Sequence, residues 1–276
     1  MRRISAPATA RPGPITAKPG VTLGGVDGPA GGPWGPLTLP PRAVLPASAA
    51  SHVWSAPTTE QPGYAGLLDE AELARVDRFK LASARSAFIA SRAIQRLVIG
   101  HYLGLPPGAV AIARDCQHCG ADHGRPYVQA APLDFSVSHT KGWLLVAVVA
   151  DGKVGVDVEV VTETRAADEL ARQVLGPAEQ ERFGLLPRSE RAAAFIRAWT
   201  RKEATVKLTG HGIAAPFRHL DVTGDLAVTS FPPPGWPADP IHLRDLPPTL
   251  DLAAALASTV PIESVVYCGP VPAPPG

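Results

Sequence analysis

Little in this chain speaks for a membrane, a disulfide scaffold or a polyanionic partner. No apolar stretch approaches the ~18–20 residues that a membrane span requires. The longest, Trp143 to Ala150, has the length of a buried strand. Met1-Arg2-Arg3 is not followed by the apolar segment of a signal peptide. Three cysteines, two of them close together at Cys116 and Cys119, make no disulfide framework, so a reduced, cytoplasmic protein is expected. A formal net charge of +1 with 6% aromatic residues leaves no electrostatic footprint for nucleic acid. Neither a Walker loop (Gly-x₄-Gly-Lys-Ser/Thr) nor Gly-x-Gly-x-x-Gly occurs, which argues against a nucleoside triphosphatase.

Proline and glycine, by contrast, are plentiful, and they dominate the chain up to about Gly63. Pieces such as Gly28-Pro29-Ala30-Gly31-Gly32-Pro33 cannot pack a core, so residues 1–42 are expected to form a disordered arm. A first strand is expected within Ala43 to Ala56. Helical periodicity then begins near Asp69, with an acidic first turn in Asp69-Glu70-Ala71-Glu72. A longer helix over Ser83 to Leu103 is expected to turn Phe88, Ile89, Ile94, Leu97 and Val98 inward. Leu133 to Ser138, Leu144 to Val149 and Lys153 to Val160 read as three strands of an antiparallel meander. Helices follow over Ala166 to Leu175, Pro177 to Leu185 and Ser189 to Thr209, then short strands at Leu226 to Ser230 and Ser264 to Cys268. This mixed order indicates an α+β fold. With 45% hydrophobic residues there is ample material for a core.

Two acidic clusters stand out. In Gly155-Val156-Asp157-Val158-Glu159 the carboxylates lie two apart in a strand and share one face, while Val154, Val156, Val158 and Val160 take the other. Trp199, Glu203 and Lys207 follow at i, i+4, i+8 on a helix face. Three carboxylates that can converge, with a lysine one turn on, suit a hard divalent cation such as Mg²⁺ held against a phosphate.

Weaker signals accompany them. Ser138 and His139 close a strand before the Lys141-Gly142 turn and offer donors to a phosphate. Arg85 and Arg92, seven apart, share a helix face to which Arg96 adds a charge, and guanidinium groups suit phosphates. Such a stripe is by itself more often a solvated surface. Gly124-Arg125-Pro126-Tyr127 is a turn entering an extended segment. Cys116, Cys119 and His123 have the spacing of half a zinc site, with His118 awkwardly inside the pair and a fourth ligand lacking. A loop of free thiols is the alternative.

Taken in order, Gly124 to Pro126, Phe135 to His139, Gly155 to Glu159 and Trp199 to Lys207 resemble the signature of the 4′-phosphopantetheinyl transferases of the surfactin-synthetase-activating type. The resemblance covers about Ala65 to Ser230. It implies a pseudo-twofold monomer of two similar halves, here 43–150 and 151–270, with coenzyme A between them. It implies that a serine of an apo acyl or peptidyl carrier protein attacks the β-phosphate of coenzyme A, releasing 3′,5′-ADP. The carrier would serve fatty-acid, polyketide or nonribosomal peptide synthesis.

By the same resemblance Asp157, Glu159 and Glu203 would hold Mg²⁺, and Glu203 would act as general base, directly or through a water. Lys207 would sit on the pyrophosphate, His139 and Ser138 on the phosphates, Arg85 and Arg92 on the 3′-phosphate with Arg96 as a substitute, and Arg125 near the adenosine. Lys202 would support coenzyme A binding. Rival readings are an Mg²⁺-dependent phosphotransferase for another nucleotide, a zinc-knuckle module for nucleic acid, and an inactive relative that only binds.

Overall fold

The computed structural model describes residues 38–116, 120–161, 167–212, 215–247 and 252–269, with residues 31–32, 35–36 and 271. The expected disordered arm, residues 1–42, lies largely outside them. Its described end is tied down: Thr38 N donates to Tyr267 O, Gly269 N to Thr38 O, and the His101 ring meets Pro40 O at 2.9 Å.

The elements run β1 (Gly31–Gly32), β2 (Gly35–Pro36), β3 (Ala50–Pro57), α1 (Glu70–Val76), α2 (Ala82–Leu103), β4 (Ala113–Asp115) and β5 (Asp122–Tyr127). Then come β6 (Asp134–Thr140), β7 (Trp143–Val149), β8 (Val154–Val160), α3 (Ala167–Val174), α4 (Pro177–Gly184) and α5 (Arg188–Thr209). The chain finishes with β9 (Leu220–Asp221), β10 (Leu226–Thr229), β11 (Ile241–Leu246), β12 (Leu252–Ser258) and β13 (Ser264–Cys268). The fold is mixed α+β, as the order of elements led us to expect. No helix among the described residues is long and apolar enough to cross a membrane.

Two sheets carry the architecture, in the orders β13-β3-β7-β6 and β8-β12-β11-β10-β9. Side chains alternate between the two faces of a strand, and in β3, β7 and β8 both faces are buried. Leu144, Val146 and Val148 of β7 pack with Trp54 under α2, whose Ile89, Ile94, Leu97 and Val98 are buried there. Leu145, Ala147 and Val149 point the other way, onto Val154, Val156 and Val158 of β8 and Leu252, Ala254 and Leu256 of β12. The outer face of the second sheet, with Ala255, Ala257, Ile241 and Leu243, receives Ala204, Val206 and Leu208 of α5. The layers are therefore helix, sheet, sheet, helix.

One expectation is corrected here. The strands over 133–160 do not form a three-stranded meander: β6 and β7 are an antiparallel hairpin, but β8 pairs with β12 in the second sheet. In the second sheet the valine row of β8 is buried across the sheet interface against Leu145, Ala147 and Val149 of β7. Phe88, expected to turn inward, is partly buried against the core and also lines a cleft.

Where β8 passes β6, side chains join the two sheets. Asp134, Ser136, Ser138 and Thr140 alternate onto one face of β6. The N–H groups of Val154, Val156 and Val158 donate to Asp134 Oδ2 at 2.8 Å, Ser136 Oγ at 3.1 Å and Ser138 Oγ at 3.4 Å. Arg125 of β5 reinforces the seam, donating from Nη1 to Asp134 Oδ1 at 2.8 Å and from Nη2 to Asp134 Oδ2 and, at 2.9 Å, to Val154 O.

Gly155 lets α5 lie directly on β8. A Cβ there would overlap the Ala204 carbonyl and stand 2.8 Å from the Leu208 nitrogen, so the backbones would have to part. Gly155→Ala is expected to destabilise the protein by about 1–3 kcal/mol or more. Denaturant unfolding measures this, and an unchanged midpoint would refute the close-approach reading.

Candidate active site

Between the α1–α2 side of the first layer and the β6–β8–α5 side lies a cleft of about 640 Å³. One wall carries Arg75, Phe79, Phe88, Arg92 and Gln95. The other carries Ser138, His139, Asp157, Glu159, Trp199, Glu203 and Lys207. Charge is thus divided, with guanidinium groups facing a cluster of carboxylates.

The acidic wall is built by β8 and α5. Asp157 is buried, and its Oδ1 accepts from Ser138 Oγ at 2.8 Å and from Lys207 Nζ at 2.6 Å. Lys207 also donates to Ser138 Oγ at 2.7 Å. Thr140 Oγ1 donates to Glu159 Oε2 at 3.1 Å. Trp199 is fixed by stacking on Phe217, 5.5 Å away and 11° from parallel. Burial, and then Asp157, raise Glu159 above the ordinary carboxylate range, opposed by Thr140, Lys207 and Trp199. Glu203 is pushed up to about 7, first by burial, then by Asp157, with Glu159 adding and Lys207 opposing. Loss of solvent, with Lys207 and Arg92, lowers His139, against the pull of Asp157. Three carboxylates and a single ammonium leave this wall short of positive charge.

Among the described residues no group of three or more His, Cys, Asp or Glu side chains is arranged to hold a metal ion. The expected Asp157, Glu159, Glu203 set is brought to one wall but not gathered on one point, and Lys207 supplies the counter-charge at Asp157. The donor set nevertheless fits a divalent cation. Asp157 Oδ2 is buried with no hydrogen-bond partner among the described residues, and all three groups are the hard oxygen donors that Mg²⁺ takes.

On the basic wall the Phe88 ring lies under two guanidiniums, that of Arg92 at 4.9 Å and that of Arg75 at 5.4 Å. The sequence reading did not single out Arg75, because α1 ends at Val76 and no helical face carries across the break to α2. Its basic–aromatic spacing to Phe79 was the only signal. Arg85 does not line the cleft and pairs instead with Glu60 at 3.3 Å. Arg96 is buried against Asp69 and Glu72.

Two further expected site residues are tied into the scaffold. Arg125 belongs to the β5–β6–β8 seam. Lys202, one residue before Glu203 and so about 100° around the helix, points away from the cleft. Its ammonium is completely buried and donates to Phe217 O at 2.7 Å, to Leu220 O, and to Glu179 Oε2 at 2.7 Å. Burial lowers its pKa, against Glu179. Of the suggested zinc ligands, Cys119 and His118 lie outside the described residues, as does the side chain of His123. Cys116 is buried in a turn where Gly120 N donates to its carbonyl at 2.8 Å.

A sequence profile of the 4′-phosphopantetheinyl transferase superfamily matches residues 153–231, which span β8 and α5 and hence the acidic wall. The 4′-phosphopantetheinyl transferase HetI of Nostoc sp. is 34% identical over 187 residues, 64% of this chain and 76% of its own length. This chain belongs to the 4′-phosphopantetheinyl transferase superfamily. It is a transferase. The L-aminoadipate-semialdehyde dehydrogenase-phosphopantetheinyl transferase of Eremothecium gossypii is 32% identical over 162 residues, 56% of each chain. The 4′-phosphopantetheinyl transferase AcpT of Salmonella typhimurium is 36% identical over 90 residues, 32% of this chain and 47% of its own.

Lys202→Met would leave Glu179, itself 5% exposed, without its ammonium. A loss of about 3 kcal/mol is expected, since breaking a buried ion pair from one side costs ~3–5 kcal/mol and the Gly176 and Val222 amides still serve Glu179. Equilibrium denaturation tests this, and full retention of stability would mean that Lys202 is not a structural residue.

Proposed function

We propose that this chain is an Mg²⁺-dependent 4′-phosphopantetheinyl transferase of the surfactin-synthetase-activating type. It would load the phosphopantetheine arm of coenzyme A onto a serine of apo acyl or peptidyl carrier proteins in fatty-acid, polyketide or nonribosomal peptide synthesis. The observation that carries the reading is the divided cleft, guanidinium on one wall and carboxylate with Lys207 on the other. Such a cleft suits a substrate with phosphates at two places and a cation between its pyrophosphate and the acidic wall. The proposal includes a cytoplasmic monomer whose halves, 43–150 and 151–270, are related by a pseudo-twofold axis. The single long helix on each sheet supports that relation.

In the reaction the carrier serine oxygen forms a bond to the β-phosphorus of coenzyme A, the bond from that phosphorus to the bridging oxygen breaks, and 3′,5′-ADP leaves with the electron pair. Glu203 takes the serine proton. Lys207 stabilises the charge that builds on the leaving phosphate, while Ser138 holds Lys207 and Asp157 in register. His139 contacts the phosphates, and Arg92 with Arg75, in place of Arg85, grips the 3′-phosphate. Asp157, Glu159 and Glu203 would hold Mg²⁺, which offsets charge on the pyrophosphate.

The decisive experiment is the intact mass of an apo carrier protein after incubation with the chain, coenzyme A and Mg²⁺. A gain of one phosphopantetheine arm, abolished by EDTA, is expected. No gain and no coenzyme A binding would refute the reading. Asp157→Ala and Glu203→Ala are each expected to cut turnover by at least about a hundredfold while the protein stays folded; near-normal rates would remove them from the site. Arg92→Ala should weaken binding of coenzyme A more than of 3′-dephospho-coenzyme A, and equal losses would place Arg92 elsewhere.

A further inference from the structure

Behind the basic wall lies a group that the cleft does not expose. Glu72, in the first turn of α1, is buried, yet three guanidiniums converge on its carboxylate: Arg96 at 2.9 Å, Arg92 at 3.4 Å and Arg114 at 3.5 Å. The Asp69 amide also donates to it, at 3.3 Å, closing the capping box of α1. Asp69 is the other acid here, and it pairs with Arg96 at 3.2 Å. One carboxylate therefore holds together three cations that would otherwise repel at short range.

The three arginines are not equivalent. The side chains of Arg96 and Arg114 are each 5% exposed, and Arg114 is further tied by Nη2 donating to Gln95 Oε1 at 2.8 Å. Arg92 is 16% exposed and is the one that lines the cleft. Its Nε lies 3.4 Å from Glu72 Oε1, an ion pair without a hydrogen bond, and its guanidinium carbon stands 4.9 Å from the centre of the Phe88 ring. If the carboxylate is neutralised, repulsion is relieved most easily by Arg92 swinging away, because the other two are enclosed.

We propose that Glu72 is a positioning residue for anion binding: it sets the Arg92 guanidinium against a phosphate of coenzyme A. The inference rests on the reading of the cleft as a coenzyme A site.

The test is a double-mutant cycle on the full chain, with the dissociation constant of coenzyme A from calorimetry and the melting temperature as readouts. Glu72→Gln and Arg92→Ala are each expected to weaken binding about tenfold, the scale of one charged hydrogen bond. The double variant should bind no more weakly than Arg92→Ala alone, because Glu72 has no other route to the ligand. Losses that multiply in the double variant would overturn the proposal. Arg114→Gln removes a different guanidinium from the same carboxylate, and it should lower the melting temperature yet leave binding within about twofold. If it weakens binding as much as Glu72→Gln does, the effect is general loosening and the proposal fails. Should Glu72→Gln not fold, Glu72→Asp, whose shorter stem withdraws the carboxylate from Arg92, enters the same cycle with the same two outcomes. Wild-type protein that binds no coenzyme A overturns the underlying reading along with the inference. Wild-type binding without coupling overturns the inference alone.

Discussion

The edge of β8 that faces β6 would carry bare amide groups at the centre of the molecule if nothing but apolar side chains met it. Buried N–H groups without partners are costly, and here Asp134, Ser136 and Ser138 accept from three of them in turn. That seam lets two sheets abut without one continuous backbone ladder. It also fixes the cleft, because the same β6 hydroxyls reach the β8 carboxylates. Ser138 serves both roles, accepting from the Val158 amide and donating to Asp157. The acidic wall is thus a product of the way the sheets are joined.

The cleft then follows from two helices of unlike character. α5 lies hard against β8 across Gly155 and brings Trp199, Glu203 and Lys207 beside Asp157 and Glu159. α2, on the far layer, brings Arg92, whose placement depends on Glu72 of a neighbouring short helix. Burial raises Glu159 and Glu203, and the neighbouring Asp157 charge adds a repulsion that a cation would relieve, so that wall favours cations. The guanidinium side favours anions. A polyanion with an accompanying cation meets both demands at once, which neither wall alone would accommodate.

Much of this was legible in the sequence. Long elements with a clear period came through: α2, α5 and strands β6 to β8 lie within a residue or two of where alternation or helical spacing put them. The shared face of Asp157 and Glu159 and the helix face of Trp199, Glu203 and Lys207 followed from period alone. What failed to show was set by tertiary packing. β12, Leu252-Ala253-Ala254-Ala255-Leu256-Ala257-Ser258, is written in helix formers, yet it is a central strand, and its Ala255 and Ala257 are small because α5 presses on them. β8 leaving the hairpin could not be seen, since its valine row is equally suited to a meander. Arg75 and Glu72 acquire their meaning only once α1 folds against α2.

Lys202 carries a consequence for how variants of this chain are interpreted. It sits inside the run Trp199 to Lys207, next to the residue placed as the base, yet its ammonium is sealed against Glu179 and two carbonyls on the far side of α5. A cell-based screen that scores product would rank Lys202 and Glu203 alike. One failure would reflect depleted protein, since a partly unfolded population is cleared by proteases, and the other idle protein at normal abundance. Proximity in a motif is therefore a poor guide to which lesion a compensating, stabilising substitution elsewhere could rescue: a thermostable background should restore the first and leave the second untouched.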